Sequence, residues 1–238
     1  VGRGRGHDSD PDSGPTSASL MRIGLLKRLE SSARAFEHSR AAYRSLLIRC
    51  LDGAARGVLI APGPDRITND GIQLAFDTLL HATTPSGFDL AAYRASLERE
   101  VGLLDAMREA LAPALECDAK LEALGRLLER LRGHRILVFT QFRHTAHHLH
   151  TSLRRHWRIG AIDGTSALHG DMPARRFDVV RYFAPHANGA REPGSHEAID
   201  VLIATDVLSE GQNLQDCDWL INYDIHWNPV RIIQRFGR

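Results

Sequence analysis

Three short apolar runs in the second half of the chain limit its fold more than any other feature. RILVFT (135–140), DVLIAT (200–205) and WLINYD (219–224) are β-branched, aliphatic and aromatic throughout their middles and break abruptly into polar residues. Runs this short with no polar alternation read as strands buried on both faces. Helical spacing lies between them: one helix is predicted over roughly 143–157, and another opens at Pro173, which suits a first turn, and runs to about 183. A weaker strand is expected near 159–163, loops over 164–171 and 185–198, and a last helix opening at Asn228-Pro229. Strands alternating with helices predict an α/β fold with a parallel, doubly wound sheet.

Upstream the pattern is helical. Leu121, Leu124, Leu128 and Leu131 form one face of a helix that stops at Gly133. Leu25, Leu29, Ala33, Phe36, Tyr43 and Leu47 predict one long helix over 20–52, ending at Gly53. APGPDRITNDG (61–71) reads as a loop, 71–81 as a short helix and TTPSG (83–87) as a second break. Residues 89–116 predict another amphipathic helix, kinked near Pro113. Residues 1–18 are Gly, Ser, Pro and Asp with little to bury and are expected to be disordered. The expected organisation is therefore a lead-in (1–18), a helical segment (19–117) and an α/β lobe (118–238).

The chain has 238 residues, 43% apolar and 25% charged, enough to bury a core. It has no apolar run of about 18 residues that would span a membrane and no visible secretory signal. Cys50, Cys117 and Cys217 are too far apart for a CxxC pair and suit a reducing compartment. A net charge of +1 decides nothing about partners, but 28 of the 30 basic residues are Arg. The two lysines, Lys27 and Lys120, do not follow a glycine, so the chain holds no phosphate-cradling Gly-Lys-Ser/Thr loop. It also holds no Asp-Glu dipeptide and hence no DEAD- or DEAH-type magnesium motif. An autonomous ATPase of that kind is excluded.

Ligands of open α/β sheets bind at the carboxyl ends of the strands. Here those ends lead into Gln141-Phe142, into Asp206 with SEGQN, and into Asp224 with IHWNP. Any one of these alone also reads as ordinary helix capping. Taken in order, ILVFTQF, LHGDMPARRFDVVRYF, DVLIATDVLSEGQNLQDCDWLINYDIHWNP and QRFGR resemble the second RecA-like lobe of superfamily two helicases and translocases. The resemblance covers about 118–238 and includes motifs IV, V and the first part of VI. SEGQNLQ, the D-x-x-x-NP segment, DAKLEALGRLLERL and LLKRLESSARAF are most similar to bacterial Swi/Snf-related helicase-like proteins. It implies a RecA-like parallel sheet with flanking helices, stopping within motif VI, preceded by a helical segment that links to a first lobe outside this chain.

The resemblance also implies site residues. Arg238 matches the arginine finger of Q-R-x-G-R-x-x-R, with Gln234 and Arg235 lining the same cleft; a planar, permanently charged guanidinium suits developing phosphate charge. Gly211, Asn213 and the adjoining Glu210 fall where motif V approaches the nucleotide. Glu210 replaces an arginine that meets RNA phosphates in DEAD-box relatives, which points away from a DEAD-box RNA helicase. Thr140, Gln141, Phe142, His169, Gly170, Thr205 and Asp206 match positions along the nucleic-acid groove, where backbone contacts would dominate. The implied cofactor is ATP with magnesium held by the first lobe, and the implied track is DNA in a bacterial cytoplasm, at the nucleoid. Arg154, Arg155, Arg158, Arg175 and Arg176 are further candidates for phosphate, or for an ordinary solvated helix face; residues 121–199 hold 12 Arg against 7 acids. His144 and His148, with His147 and His150, have a spacing that can hold a metal, but with no matching acidic or Cys partner and no HExxH pattern they read as a polar helix face. Trp227 reads as packing.

Two functions remain open. One is the second lobe of an ATP-dependent DNA helicase or translocase, inactive as an ATPase by itself. The other is a degenerate, standalone module that binds nucleic acid or protein without turnover.

Overall fold

In the computed structural model, residues 17–62, 80–83, 87–209, 213–225 and 230 are described. The centre is a six-stranded sheet in the order β6-β5-β4-β7-β3-β8, built from β3 (Ile136–Phe139), β4 (Ile159–Ile162), β5 (Ala167–His169), β6 (Met172–Pro173), β7 (Val201–Ala204) and β8 (Trp219–Asn222). Strands β4, β7, β3 and β8 run parallel, with Ile136 opposite both Val201 and Trp219 and Ile159 opposite Val201. The alternation of a strand's side chains sorts the apolar runs onto two faces. Ile136, Val138, Val201 and Ile203 join Leu124 and Leu128 of α4 (Ala119–Arg130) and Leu149 and Leu153 of α5 (Arg143–Leu153). Leu137, Phe139, Leu202 and Ala204 join Val179, Val180 and Phe183 of α6 (Arg176–Phe183) on the other face. Both faces are covered, which is why these runs are apolar without alternation.

The expected parallel sheet is present, with two antiparallel strands added at one edge. The segment 164–171, expected to be a loop, contains β5, paired antiparallel with β4. Pro173 does not open a helix: it lies in β6 at the outer edge of the sheet, where a residue without an N–H costs no ladder bond, and α6 begins at Arg176.

The helical segment also departs from expectation. The stretch 20–52 is two helices, α1 (Ser17–Ser31) and α2 (Ala33–Ala55), broken at Ser32. Ser32 is extended (φ −160°, ψ 149°), and its hydroxyl accepts from the Ala35 N–H, the usual work of an N-cap serine. The leucine stripe runs across the break and hides it. Gly53 lies inside α2 rather than ending it; a Cβ there would sit 2.6 Å from the Ile60 side chain. The predicted helix at 71–81 lies outside the described residues except for Leu80 and His81, which belong to β2 (Leu80–Thr83), paired antiparallel with β1 (Leu59–Pro62). Of the lead-in, only Ser17 and Ala18 are described, and they begin α1. Of the last predicted helix, only Val230 is described.

The long helix α3 (Leu90–Glu116) contains Pro113, as expected, and packs antiparallel to α2. Leu47 and Cys50 of α2 meet Leu97 and Leu104 of α3 in a small core. Buried Arg40 donates to Glu37 and to the Leu104 carbonyl, Arg44 pairs with Asp105 at 2.7 Å, and the Tyr43 hydroxyl donates to Glu100. The segment docks on the lobe through α5, where His38 stacks on His144 with ring centroids 3.5 Å apart.

Candidate functional site

Register fixes which residues leave the sheet at its carboxyl edge: Thr140 after β3, Asp163 after β4, Thr205 after β7 and Asp224 two residues after β8. Backbone bonds carry the ladder past the strands, from Thr140 N–H to the Ala204 carbonyl, Thr205 N–H to Ile162, and Tyr223 N–H to Phe139. The polar edge is therefore held by the same rigid sheet that forms the core.

Asp224 is the hub of this edge. It is buried, and its Oδ2 accepts from the Thr140 hydroxyl (2.6 Å), the Gln141 N–H (2.8 Å) and the Ser31 hydroxyl (2.9 Å). Lys120 Nζ lies 3.3 Å from Oδ1 and 4.1 Å from the centre of the Tyr223 ring. Burial first, then the nearby Asp118 and Asp224 carboxylates, push the Tyr223 hydroxyl well above its ordinary range. A cleft of about 570 Å³ opens beside the hub, lined by Lys27, Glu30, Ser31, Lys120, Gln141 and Ile225 among others.

The expected nucleic-acid residues divide into two groups. Thr140, Gln141, Phe142, Thr205 and Asp206 share the carboxyl edge. Thr140 is fully buried with its hydroxyl turned inward to Asp224, so outward contacts there fall to Gln141 and Phe142. Phe142 precedes α5 and carries the Arg28 guanidinium 5.0 Å above its ring; burial lowers the pKa of that guanidinium. Asp206 opens a 3-10 turn, Asp206–Ser209. His169 and Gly170 stand at the opposite end of the sheet. Because β5 runs antiparallel, His169 pairs with Gly160, and the Gly170 N–H donates to the carbonyl of Ile159, the first residue of β4. Gly170 has φ +54°, which the two-residue turn into β6 requires.

Asn213 is exposed, and its side chain ties two loops together: Nδ2 donates to the Ala187 carbonyl in the segment after α6, and Oδ1 accepts from the Gln215 N–H in its own loop. Glu210, Gly211, Gln234, Arg235 and Arg238 lie outside the described residues. Among the candidate arginines, Arg154 pairs with Asp171, Arg158 with Asp200, and Arg176 donates to the Asp163 carbonyl. His148 pairs with Asp118 at 3.0 Å, and no group of three His, Cys, Asp or Glu among the described residues could hold a metal.

Several residues of this edge have no local signal in the sequence. Ser31, Ser32, Lys120 and Thr145 come together with Asp224 only in the folded chain. Arg143, the first residue of α5, reaches from the end of β3 to the loop after β4, donating to Thr165 Oγ1 at 3.2 Å. That loop is itself organised by Asp163. Burial raises the Asp163 carboxyl's pKa, but hydrogen bonds from Thr165 and Ser166 outweigh this and hold it below the usual carboxylate range.

This geometry coincides with a sequence match. Residues 119–238 match the family described as helicase conserved C-terminal domain. The chain belongs to that family. The helicase C-terminal domain is 32% identical over 133 residues to the CHD3-type chromatin-remodeling factor CHR7 of Arabidopsis thaliana, covering 55% of this chain and 10% of that protein. It is 32% identical over 124 residues to the RNA polymerase-associated protein RapA of Vibrio parahaemolyticus, covering 51% of this chain and 11% of that one. It is also 31% identical over 120 residues to the putative DEAD-box RNA helicase HEL64 of Trypanosoma brucei brucei, covering 50% and 18%. The aligned stretch is thus a small part of each of these relatives. The expected kinship with superfamily two helicases and Swi/Snf-related proteins agrees with them, and the α/β sheet with helices on both faces is the RecA-like lobe that kinship implies. Among the described residues no helix is long and apolar enough to cross a membrane.

Proposed function

We propose that this chain supplies the second lobe of an ATP-dependent helicase or translocase acting on DNA. The observation that carries the reading is the family match over 119–238 together with a carboxyl edge at which three adjacent strands, β7, β3 and β8, present Thr205-Asp206, Gln141-Phe142 and Asp224 side by side. In this reading the Thr140–Phe142 turn and the Thr205-Asp206 turn meet the phosphate backbone, and such contacts position the track without reading its sequence. Residues 1–18, 19–117 and 118–238 act as lead-in, helical link and lobe.

ATP and magnesium would lie between this lobe and a first lobe carrying the phosphate loop and the magnesium carboxylates. Arg238 would reach the γ-phosphate as an arginine finger, with Gln234, Arg235, Glu210, Gly211 and Asn213 around it. Closure of the two lobes on ATP and their opening after hydrolysis would step them along DNA. The similarity to a chromatin-remodeling factor, CHR7, favours a DNA track, whereas that to HEL64 favours RNA; the reading takes DNA, in a bacterial cytoplasm, on the Swi/Snf-like motifs.

The test is ATPase activity. The isolated chain should have none, and a protein joining it to its first lobe should show DNA-stimulated hydrolysis. Arg238→Ala should lower the stimulated rate by ~10³-fold or more, as removal of other arginine fingers does. A joined protein stimulated by RNA and not by DNA would overturn the choice of track. Full activity of the alanine variant would overturn the finger.

A further inference from the structure

Only two of the 30 basic residues are lysines, and both line the cleft beside Asp224. Lys120 uses what distinguishes lysine from arginine. Its ammonium donates in three directions, to the carbonyls of Glu30 (2.9 Å) and Ser31 (3.0 Å) and to Asp224 Oδ1 (3.3 Å). The two carbonyls are the last of α1, acceptors that no later residue of that helix can satisfy. A cation at that end also complements the helix dipole. A compact group with three rotatable donors meets three divergent acceptors; a planar guanidinium fork does not.

The third acceptor joins this cap to the carboxyl edge. Asp224 takes its four donors from separate parts of the chain: Ser31 at the α1–α2 corner, Thr140 and Gln141 at the end of β3, and Lys120 at the start of α4. One buried carboxylate therefore ties the end of α1 to the turn that leaves β3. Removing it would leave buried or half-buried donors facing one another, which costs more than the bonds themselves.

We propose that Asp224 and Lys120 are positioning residues for the nucleic-acid grip. They lock the α1–α2 corner and the Thr140–Gln141 turn into one unit, so the helical segment sets how Gln141 and Phe142 meet a phosphate backbone. The inference rests on the reading of that turn as part of the nucleic-acid face. It makes the helical segment a lever on the grip: displacing the segment loosens the turn.

The experiment uses the full 238-residue chain as wild type, Lys120→Met, Lys120→Arg and Asp224→Asn. Amide hydrogen exchange is followed at Gln141, with Ile203 in the sheet interior as control, and the affinity for a labelled DNA duplex and a labelled single strand is measured alongside. Lys120→Met and Asp224→Asn should each speed exchange at Gln141 and weaken DNA binding by about tenfold, the loss of one charge-assisted bond, while Ile203 is unchanged. Lys120→Arg, which keeps the charge, should restore neither. Should Asp224→Asn fail to fold, Lys120→Met carries the test, because that side chain is 41% exposed. Unchanged exchange at Gln141 with unchanged affinity overturns the inference, and so does full rescue by arginine. Wild-type chain that binds neither DNA overturns the nucleic-acid reading instead; exchange at Gln141, which needs no ligand, then decides the latch by itself.

Discussion

The hydroxyls of Ser31 and Thr145 lie 2.7 Å apart although 114 residues separate them in the chain. The Ser32 hydroxyl lies 2.9 Å from the same Thr145 oxygen, and all three residues are buried. Each hydroxyl has one proton to give. Ser31 gives its own to Asp224, so it accepts from Thr145, which in turn accepts from Ser32, whose oxygen also takes the Ala35 N–H. The result is a one-way relay from the N-cap of α2 through α5 to the carboxyl edge. It joins the helical segment to the lobe beside the His38–His144 stack.

Thr145→Val keeps the shape of the side chain and cuts the relay in the middle. It should lower unfolding stability by about 1–3 kcal/mol, the cost of leaving buried hydroxyls unpaired. Thr145→Ser keeps the oxygen and should recover most of that loss. Urea denaturation of the three proteins checks this; equal midpoints for valine and wild type would show that the relay contributes nothing.

Gly160 tests the packing of β4 against α6. A Cβ at this position would lie 2.9 Å from both Ile199 Cδ1 and Val179 Cγ1 and 3.4 Å from the Leu168 carbonyl. The isoleucine tip can swing aside, but the valine methyl sits on a stiff, fully buried branch. Gly160→Ala should therefore destabilise by about 1–2 kcal/mol through overpacking, against the gain alanine usually brings in the unfolded state. Gly125 in α4 has open space at the same position, so Gly125→Ala should stabilise. Thermal melts of the pair should move in opposite directions.

The parallel strands were legible because each is buried on both faces and so is an unbroken apolar run. The break at Ser32 was not, because the leucine stripe of α1 continues into α2 in phase and only a local serine cap divides them. β5 was missed because Ala167, Leu168 and His169 make too short and mixed a run to stand out from a loop. That omission matters for the site: one antiparallel strand carries His169 and Gly170 to the amino end of the sheet, away from the Gln141 turn that the motif order suggests they join. The polar strand ends lie together at the carboxyl edge of the sheet. Asp224 showed as a strand end and as the first residue of D-x-x-x-NP, but its role as a hub did not, since its partners Ser31, Lys120 and Thr140 and the neighbouring Thr145 share no spacing with it.

Acid should loosen the joint between α2 and α5. Burial first, and then the charges of His38, Arg143, Arg28 and His147, lower the His144 pKa to about 4. In the unfolded chain the ring binds its proton near pH 6.5. Between about 6.5 and about 4 the unfolded state thus holds more protons, and stability falls as pH falls; above pH 7 the effect is absent. The ring is only half-buried, so screening leaves roughly 1 kcal/mol. Chemical denaturation at pH 7.5 and pH 5 should show that loss in the wild type and a smaller one in His144→Gln. A residual slope is expected from His150, whose pKa burial also lowers. Identical pH dependence in both proteins would rule out His144 as its source.

Arg143 offers a direct reading of the proposed DNA face. It is exposed, begins the helix that follows the Gln141-Phe142 turn, and leans toward the loop after β4 through Thr165. A guanidinium on that edge would contact one phosphate and release the counterion condensed there. Arg143→Ala should then weaken binding to all DNA sequences alike and lower the slope of log K against log salt by about 0.9 on a duplex or about 0.7 on a single strand. Arg158, at the amino end of the sheet and paired with Asp200, serves as the control, and Arg158→Ala should leave the slope unchanged. Affinities across a salt series for the three proteins separate the outcomes. A slope that falls with Arg158 and not with Arg143 would move the DNA to the other end of the sheet, beside His169 and Gly170.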